Sequence, residues 1–220
     1  NLPIAYQGEL LGVIGISGDP EEVRAYAELI LEQAALTEQL QWDKRHKEEL
    51  VLQLIRGEGR ADQLQQAARF LDLDLAQPRV VAVLALEEAD PARLRELVHL
   101  LENPERDNLV AINGLDEIVV LKPAQLCDGV WQSAQERSRI KQLLARIPHF
   151  KVRIGVGDYF AGTGGLARSY QTARDTLRRG MSQAPRKQVY FFEDYRLPVL
   201  LGSLADSWQA DQLRAPLQKL

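Results

Sequence analysis

A chain of 220 residues with 45% hydrophobic and 26% charged residues has the composition of a soluble folded protein rather than a disordered one. Its net charge of −4 excludes a global basic field, so the chain as a whole is not predicted to bind nucleic acid. The single cysteine, Cys127, excludes an internal disulfide and is typical of a reducing, cytoplasmic setting. No apolar run approaches the roughly 18 residues that a membrane helix needs, so we expect no membrane partner. The chain opens at Asn1 without Met and ends at Leu220 within a helical pattern, which predicts a fragment of a longer protein.

Two short apolar runs, residues 2–6 and 10–16, predict a β-hairpin at the start of the chain. Gly12 and Gly15 in the second run indicate a close backbone approach or a ligand-facing wall, and an ordinary packed hairpin is the alternative. A two-stranded hairpin alone is not stable in water, so we expect its sheet partners upstream or in another chain.

A long helix is predicted from residue 21 to residue 56, because neither proline nor glycine interrupts the chain there and apolar residues recur every three or four positions. At 1.5 Å per residue it would span on the order of 50 Å, which is longer than one small domain covers. The polar stretch 41–49 interrupts the heptads. A solvated connector between two domains is therefore favoured over a regular coiled coil.

The rest of the chain alternates between strand and helix patterns. These patterns predict helices at 62–71, 91–102, 133–147 and 166–180, and strands at 79–86, 108–112, 117–121, 151–157 and 188–192. From residue 79 onward the order is β-α-β-β-α-β-α-β. It predicts one α/β (α+β) domain around a single sheet.

A glycine-rich turn at 162–165 precedes the last of these helices. Gly162, Gly164 and Ala167 fit the G-x-G-x-x-A pattern of a dinucleotide site. However, four residues separate the strand from the first glycine, and residues 195–220 are too few for the second half of a dinucleotide fold. A tight turn at the start of a helix is the favoured interpretation. The helix that follows carries four arginines, Arg168, Arg174, Arg178 and Arg179. They could hold an anion, but a basic helix face exposed to solvent is the commoner arrangement.

The turn between the strands at 108–112 and 117–121 is the second candidate site. Asp116 and Glu117 at such a turn could hold a divalent metal and a triphosphate. Metal catalysis would need another carboxylate on the neighbouring strand, at Leu84 or Leu86, and these residues are apolar. A turn with solvated acids is therefore favoured. The histidines lack ligand-type spacing, no serine lies in a nucleophile-elbow context and Cys127 has no base nearby, so we expect no catalytic residue, metal or cofactor.

The hairpin and the segment after it resemble the GGDEF domain of diguanylate cyclases. The matching residues include 154–157, Ala173, Leu177, Gly180 and 189–190. The resemblance implies a central, mostly antiparallel sheet flanked by helices. It also marks a degenerate hairpin, because an active one reads Gly-Gly-Asp/Glu-Glu-Phe and this one reads Gly114, Leu115, Asp116, Glu117, Ile118. The metal-binding aspartate of the first strand is missing as well, so the resemblance implies the fold without cyclase activity.

The stretches 165–173, 192–194 and 197–201 resemble more closely the carbohydrate (sugar) diacid transcriptional regulators. That family shares a degenerate GGDEF-like middle domain with the purine-catabolism regulators. Residues 1–18 are similar to the last hairpin of its PAS-like diacid-sensing domain, and 103–112 and 119–124 also match.

This resemblance implies a division of the chain into parts with different roles. The predicted boundaries are a truncated sensor hairpin at 1–20, a connector helix at 21–58, a short helix and linker at 59–78, the GGDEF-like domain at 79–195, and at 196–220 the start of a region leading to a missing helix-turn-helix. Any remnant of the diacid site would lie on the hairpin wall, at Leu2, Gly12, Gly15 and Ser17.

The implied function is the central fragment of a cytoplasmic, sugar-diacid-responsive transcriptional regulator, which relays effector binding and supports dimerisation. The implied partners are a sugar diacid or hydroxy acid (glucarate, galactarate or glycerate), DNA through the missing C-terminal domain only, and a second copy of the chain. Two alternatives stay open: a nucleotide-binding or diguanylate-cyclase-like enzyme domain, and a pure dimerisation module.

Overall fold

The computed structural model describes residues 2–6, 9–14, 20–88, 90–102, 107–162 and 164–205. The chain divides into two compact units, Asn1–Lys47 and Glu48–Leu220. Among the described residues no helix is both long enough and apolar enough to cross a membrane.

The first unit contains the predicted hairpin. Strands β1 (Leu2–Tyr6) and β2 (Glu9–Ile14) pair antiparallel, with Leu2 opposite Ile14 and Tyr6 opposite Glu9. The register shifts between Ile4 and Ala5, which is the local irregularity of a β-bulge.

Helix α1 runs without interruption over Pro20–Arg56, close to the predicted bounds. Pro20 is suited to its first position, because its fixed φ is helical and its missing N–H would have no intrahelical acceptor there. Gly57 ends the helix at a φ of +67°, a left-handed conformation that favours glycine. The N–H of Glu58 donates to the carbonyl of Gln53 at 3.0 Å, and that of Gly57 donates to the carbonyl of Leu54 at 3.3 Å. This is the Schellman pattern of helix termination.

The second unit is built around one five-stranded sheet. Its helices are α2 (Ala61–Phe70), α3 (Pro91–Leu101), α4 (Ser133–Arg146), α5 (Gly165–Gln183) and α6 (Phe192–Ala205). Its strands are β3 (Arg79–Leu86), β4 (Leu109–Ile112), β5 (Glu117–Pro123), β6 (Leu126–Cys127), β7 (Val130–Trp131), β8 (Val152–Val156) and β9 (Val189–Phe191). The sheet order is β4-β5-β3-β8-β9, and only β8 and β9 pair parallel. The predicted α/β class with a mostly antiparallel sheet is confirmed.

Successive side chains of each strand point to opposite faces of the sheet, and a separate hydrophobic core forms on each face. Ala82 and Leu84 of β3 face the layer formed by α3 and α4, whereas Val81 and Val83 face α5, α6 and the end of α1. Val51 and Ile55, from the last turns of α1, are almost completely buried in this second core. The C-terminal end of α1 is thus part of the second unit.

Helix α5 packs directly on the sheet at two glycines that leave room for it. A Cβ atom on Gly155 of β8 would be 2.6 Å from the Cβ of Leu177, and a Cβ on Gly180 would overlap the ring of Tyr190. Both contacts would be closer than van der Waals contact, so the packing of α5 on β8 and β9 depends on glycine at Gly155 and Gly180.

Two elements of the second unit are absent from the predicted set. One is the small hairpin formed by β6 and β7, whose turn residues Asp128 and Gly129 both have positive φ, at 51° and 76°. An Asp-Gly pair is a strong type I′ hairpin signal. The other is α6, which continues through Pro198 after a non-helical Tyr195.

Candidate functional site

The hairpin at 113–118 joins β4 to β5 at the end of the sheet where β3 finishes. The N–H of Asn113 donates to the carbonyl of Glu117 at 2.9 Å and closes the turn. The N–H of Leu86 donates to the carbonyl of Asp116, also at 2.9 Å, and attaches the turn to β3. Gly114 has a φ of +118°, which requires glycine, and Leu115 is 87% exposed at the tip.

The neighbouring strand offers this hairpin no carboxylate. Ala85 of β3 is opposite Glu117, and the buried Leu84 is opposite Ile118. Beyond the strand, Glu87 pairs with Arg153 at 2.7 Å and Glu88 pairs with Lys151 at 2.6 Å. In the described parts of the chain, no three His, Cys, Asp or Glu residues lie together where they could hold a metal ion. The carboxylate cluster that two-metal phosphoryl chemistry requires is not formed by the described residues.

The structure corrects the expectation that both acids of the turn are solvated. Asp116 is exposed as expected. Glu117 is half-buried, and its Oε1 accepts a hydrogen bond from Nδ2 of Asn113 at 2.7 Å and another from the hydroxyl of Tyr170 at 2.9 Å. The sequence pattern does not indicate these hydrogen bonds of Glu117, because Tyr170 lies on α5, 53 residues further along the chain.

Asn113 connects this pair to helix α1. Its Nδ2 also donates to the hydroxyl oxygen of Tyr170 at 2.9 Å, and its Oδ1 accepts from Nη2 of Arg56 at 3.2 Å. Arg56 is the last residue of α1. The four residues Arg56, Asn113, Glu117 and Tyr170, named here the hairpin network, therefore join the end of α1, the degenerate turn and α5.

The environment of Tyr170 keeps its hydroxyl group protonated. The residue is 8% exposed, and this burial raises the pKa of the phenol above its ordinary value, with a further contribution from the hydrogen bond to the Glu117 carboxylate. A protonated phenol can donate to Glu117 and accept from Asn113 at the same time. The hairpin network is thus satisfied with the tyrosine neutral.

The glycine-rich turn has the structure that the sequence predicts. Gly162 and Gly164 both have a φ of +80°, and α5 begins at Gly165. Three of the four arginines that follow are exposed, and Arg178 forms an ion pair with Asp175 at 3.0 Å. A solvated basic face is confirmed for Arg168, Arg174 and Arg178, whereas Arg179 is half-buried with its guanidinium beside Gly202.

The sensor-hairpin candidates lie at the edge of what the structure describes. Leu2 is in β1 and Gly12 is in β2, where Gly12 is opposite Ile4. Gly15 and Ser17 lie outside the described residues. A ligand-binding role for these four residues stays a prediction.

The fold and the eroded hairpin define the class of protein. A family model described as GGDEF-like domain matches residues 56–178, more than half of the chain, and the chain belongs to this family. A second family model, for sugar diacid recognition, matches residues 1–54. The two matched ranges meet at the end of α1.

More particular likenesses extend over the whole chain. It is 42% identical to the carbohydrate diacid regulator of Escherichia coli (strain K12) and 38% identical to an uncharacterized protein of Haemophilus influenzae, in each case over 100% of this chain and 61% of the relative. It is 21% identical to the protein YsfB of Bacillus subtilis (strain 168), over 93% of this chain and 56% of that protein. The chain thus spans about three fifths of the length of the curated relatives it matches. These findings confirm the resemblance to carbohydrate diacid regulators and support a regulatory role.

Proposed function

We propose that this chain is the central part of a cytoplasmic, sugar-diacid-responsive, DNA-binding transcriptional regulator. In this proposal the GGDEF-like part relays a signal and has no catalytic role. Two findings support it: the identity with the Escherichia coli carbohydrate diacid regulator across the whole chain, and the match of residues 1–54 to the sugar diacid recognition family. The effector would be a sugar diacid or related hydroxy acid, such as glucarate, galactarate or glycerate.

The observation that supports a non-catalytic role is the hydrogen bonding of the Glu117 carboxylate. In the cyclase motif that this hairpin resembles, the corresponding glutamate belongs to the active sequence. Here its carboxylate accepts hydrogen bonds from Asn113 and Tyr170 and faces Ala85 instead of a second carboxylate. A carboxylate satisfied in this way acts as a structural acceptor, because binding a metal would require it to exchange these bonds for coordination.

Helix α1 is the proposed path of the signal. It is one continuous helix, so a displacement along it reaches its last turns, where Val51 and Ile55 are buried against the sheet and Arg56 contacts Asn113. A ligand can change the populations of two conformations of the chain only by binding one of them better than the other. We place the ligand on the hairpin wall at Leu2, Gly12, Gly15 and Ser17, and DNA binding in a C-terminal helix-turn-helix beyond this chain.

A second copy of the chain is the proposed partner of α1. Exposed apolar residues follow a heptad spacing of three and four on this helix, at Tyr26, Leu29, Leu36 and Leu40, with Gln33 between them. A stripe with this spacing is complementary to an identical stripe on another helix. It stops at Asp43, in agreement with the polar middle of α1. We therefore infer a short paired segment over residues 26–40.

Ligand binding is tested first, on the full-length protein. Glucarate, galactarate and glycerate are added separately and the melting temperature is recorded. A ligand at 100 times its Kd stabilises the native state by about 2.7 kcal/mol, which gives a shift of several degrees. The absence of any shift with all three compounds contradicts the proposed effector class.

The relay is tested by hydrogen exchange on the same protein. The effector should change amide exchange in peptides covering the end of α1 and the hairpin at 113–118. In Asn113→Ala the melting shift should persist while the exchange change at the hairpin is lost, because the bond from Arg56 has no acceptor. Asp116→Ala, an exposed neighbour, is the matched control and should respond like the wild type.

Two further measurements separate the alternatives. Incubation with GTP and magnesium should give no product, and turnover that Glu117→Ala abolishes would establish an enzyme. Sedimentation should give a dimer that Leu29→Lys with Leu36→Lys converts to a monomer, while Glu38→Lys on the opposite face of α1 leaves it intact. A dimer unaffected by the paired substitution contradicts the proposed stripe.

A further inference from the structure

The part of helix α6 that follows Tyr195 packs on α5 with one of its sides. Val199 is only 4% exposed and belongs to the core between the helix and the sheet. Gly202 lies against α5, because a Cβ atom at this position would overlap the guanidinium of Arg179. The side of α6 that carries Val199 and Gly202 is thus covered by the second unit itself.

The opposite side of the same helix is also apolar, and no part of the described chain covers it. Three leucines are exposed there: Leu197 at 71%, Leu200 at 46% and Leu201 at 62%. Their spacing of three and four residues places them in one stripe, which we name the leucine face. A helix that is apolar on two opposite sides is typically buried on both of them. The leucine face is therefore a candidate docking surface.

The start of α6 is held firmly to the elements around it. Arg137 of α4 donates two hydrogen bonds to the Asp194 carboxylate, at 2.8 and 3.0 Å, and one to Glu193 at 3.1 Å. Arg196 pairs with Asp158 at 3.3 Å, directly before the leucine face. The leucine face is thus presented on a positioned helix, which lowers the conformational entropy lost when another surface packs on it.

The size of the leucine face indicates what kind of partner can cover it. Three leucines with about half to two thirds of their surface exposed amount to on the order of 300 Å² of apolar surface, at the lower end of functional patches. A stable dimer buries about 800 Å² on each partner, so this face is too small to hold a second copy by itself. A partner in the same polypeptide needs less area, because a short tether gives it an effective concentration in the millimolar range.

We propose that the leucine face is the docking surface for the DNA-binding part of the full-length protein. This inference rests on the proposed function, in which that part follows α6 in the polypeptide. The chain after α6 leaves from the helix that carries the leucine face, so a part that follows it starts within reach of the leucines. The docked surface would consist of apolar side chains, since a leucine offers no hydrogen bond to a polar group that it buries. The orientation of the DNA-binding part would then be set by α6.

The test compares leucine methyl signals of the 220-residue chain and of the full-length protein. Both are labelled with ¹³C at the leucine methyl groups, and a soluble gadolinium chelate is added to broaden the signals of exposed methyl groups. In the 220-residue chain the signals of Leu197 and Leu201 should broaden strongly. In the full-length protein their broadening should fall to that of Leu84, which is 2% exposed. Leu115, 87% exposed at the hairpin tip, is the internal control and should broaden equally in both proteins.

A paired substitution tests whether the leucines hold the contact. In the full-length protein, Leu197→Gln with Leu201→Gln should restore the broadening of Leu200 to its value in the 220-residue chain. Leu115→Gln is the matched control and should leave Leu200 protected. Protection of Leu200 that survives the paired substitution overturns the inference. Both substitutions lie at exposed positions, and melting curves confirm that the variants stay folded.

Cleavage of the full-length protein identifies which part covers the leucine face. A specific protease site is inserted after Leu220, and its cleavage should restore the broadening of Leu197 and Leu201, because the partner loses its tether. Protection that survives cleavage overturns the inference, since the cover would then lie in the part that remains attached. Protection that weakens on dilution of the uncut protein also overturns it, because a second copy would be the partner. Protection already present in the 220-residue chain would assign the contact to residues 206–220 and overturn it as well.

The proposed function is measured separately, by the melting shift with glucarate, galactarate and glycerate. A full-length protein that shows this shift while Leu197 and Leu201 stay exposed overturns the docking inference alone. Protected leucines that lose their protection on cleavage, in a protein without any shift, support the docking and contradict the effector class.

Discussion

Replacing Tyr170 by phenylalanine should destabilise the second unit by about 2–3 kcal/mol. The substitution removes two hydrogen bonds of 2.9 Å, one donated to the Glu117 carboxylate and one accepted from Asn113. A bond to a charged acceptor contributes about 1.5–3 kcal/mol and a neutral one about 0.5–1.5 kcal/mol. Because Glu117 and Asn113 are only half-buried and regain some water, the lower part of the summed range applies.

A double-mutant cycle separates the shared bond from the other effects of each substitution. Glu117→Ala removes the acceptor that Tyr170 uses, so the second substitution has less to remove when the first is already present. We expect the double variant to be about 1–2 kcal/mol more stable than the sum of the single effects predicts. Asp116→Ala, next to Glu117 but exposed, is the control and should change stability by no more than about 0.5 kcal/mol.

The assay must report the second unit alone, because the chain has two compact units and global unfolding need not be a single step. Native-state amide exchange of the buried Val119, Val120 and Leu121 in β5 meets this requirement. Additive effects in the cycle, or a loss below about 0.5 kcal/mol for Tyr170→Phe, would show that Tyr170 and Glu117 are not energetically coupled, and the hairpin network would lose its proposed role.

Three further predictions concern stability. The pKa of Tyr170 is raised by burial and by Glu117, so its stabilising contribution is complete below the unfolded value of about 10 and is lost as the pH rises through the folded pKa. The stability difference between the wild type and Tyr170→Phe should therefore shrink above about pH 10, when urea unfolding at several pH values is followed by the methyl signals of Val119, Val120 and Leu121 in the second unit. Gly155→Ala should cost about 1–3 kcal/mol in the same measurement, since its Cβ would lie 2.6 Å from that of Leu177. Lys122 and Glu136 form a buried ion pair at 2.9 Å, so Lys122→Met alone should cost about 3–5 kcal/mol, and adding Glu136→Leu should recover most of the loss in the same measurement.

Much of the fold could be predicted because its signals are local. Strand β3 has an uninterrupted apolar sequence between clear turns, and its predicted bounds, Arg79–Leu86, match the structure. The long helix was equally clear, since nothing between Pro20 and Gly57 breaks the pattern. Helix α6 was missed for the opposite reason: Pro198 and the non-helical Tyr195 interrupt the pattern, and packing of the helix on α5 stabilises it despite them.

The candidate site was predicted only in part, because its chemistry depends on contacts between distant residues. The sequence shows that Asp116 and Glu117 are at a turn and that the facing strand is apolar. It cannot show which of the two acids is solvated, since the partner of Glu117 is Tyr170 on another element. Tyr170 has the helical spacing from Leu166, Ala173 and Leu177 that is typical of core residues, and its ring is buried. The spacing of apolar residues does not indicate where a buried tyrosine places its hydroxyl group.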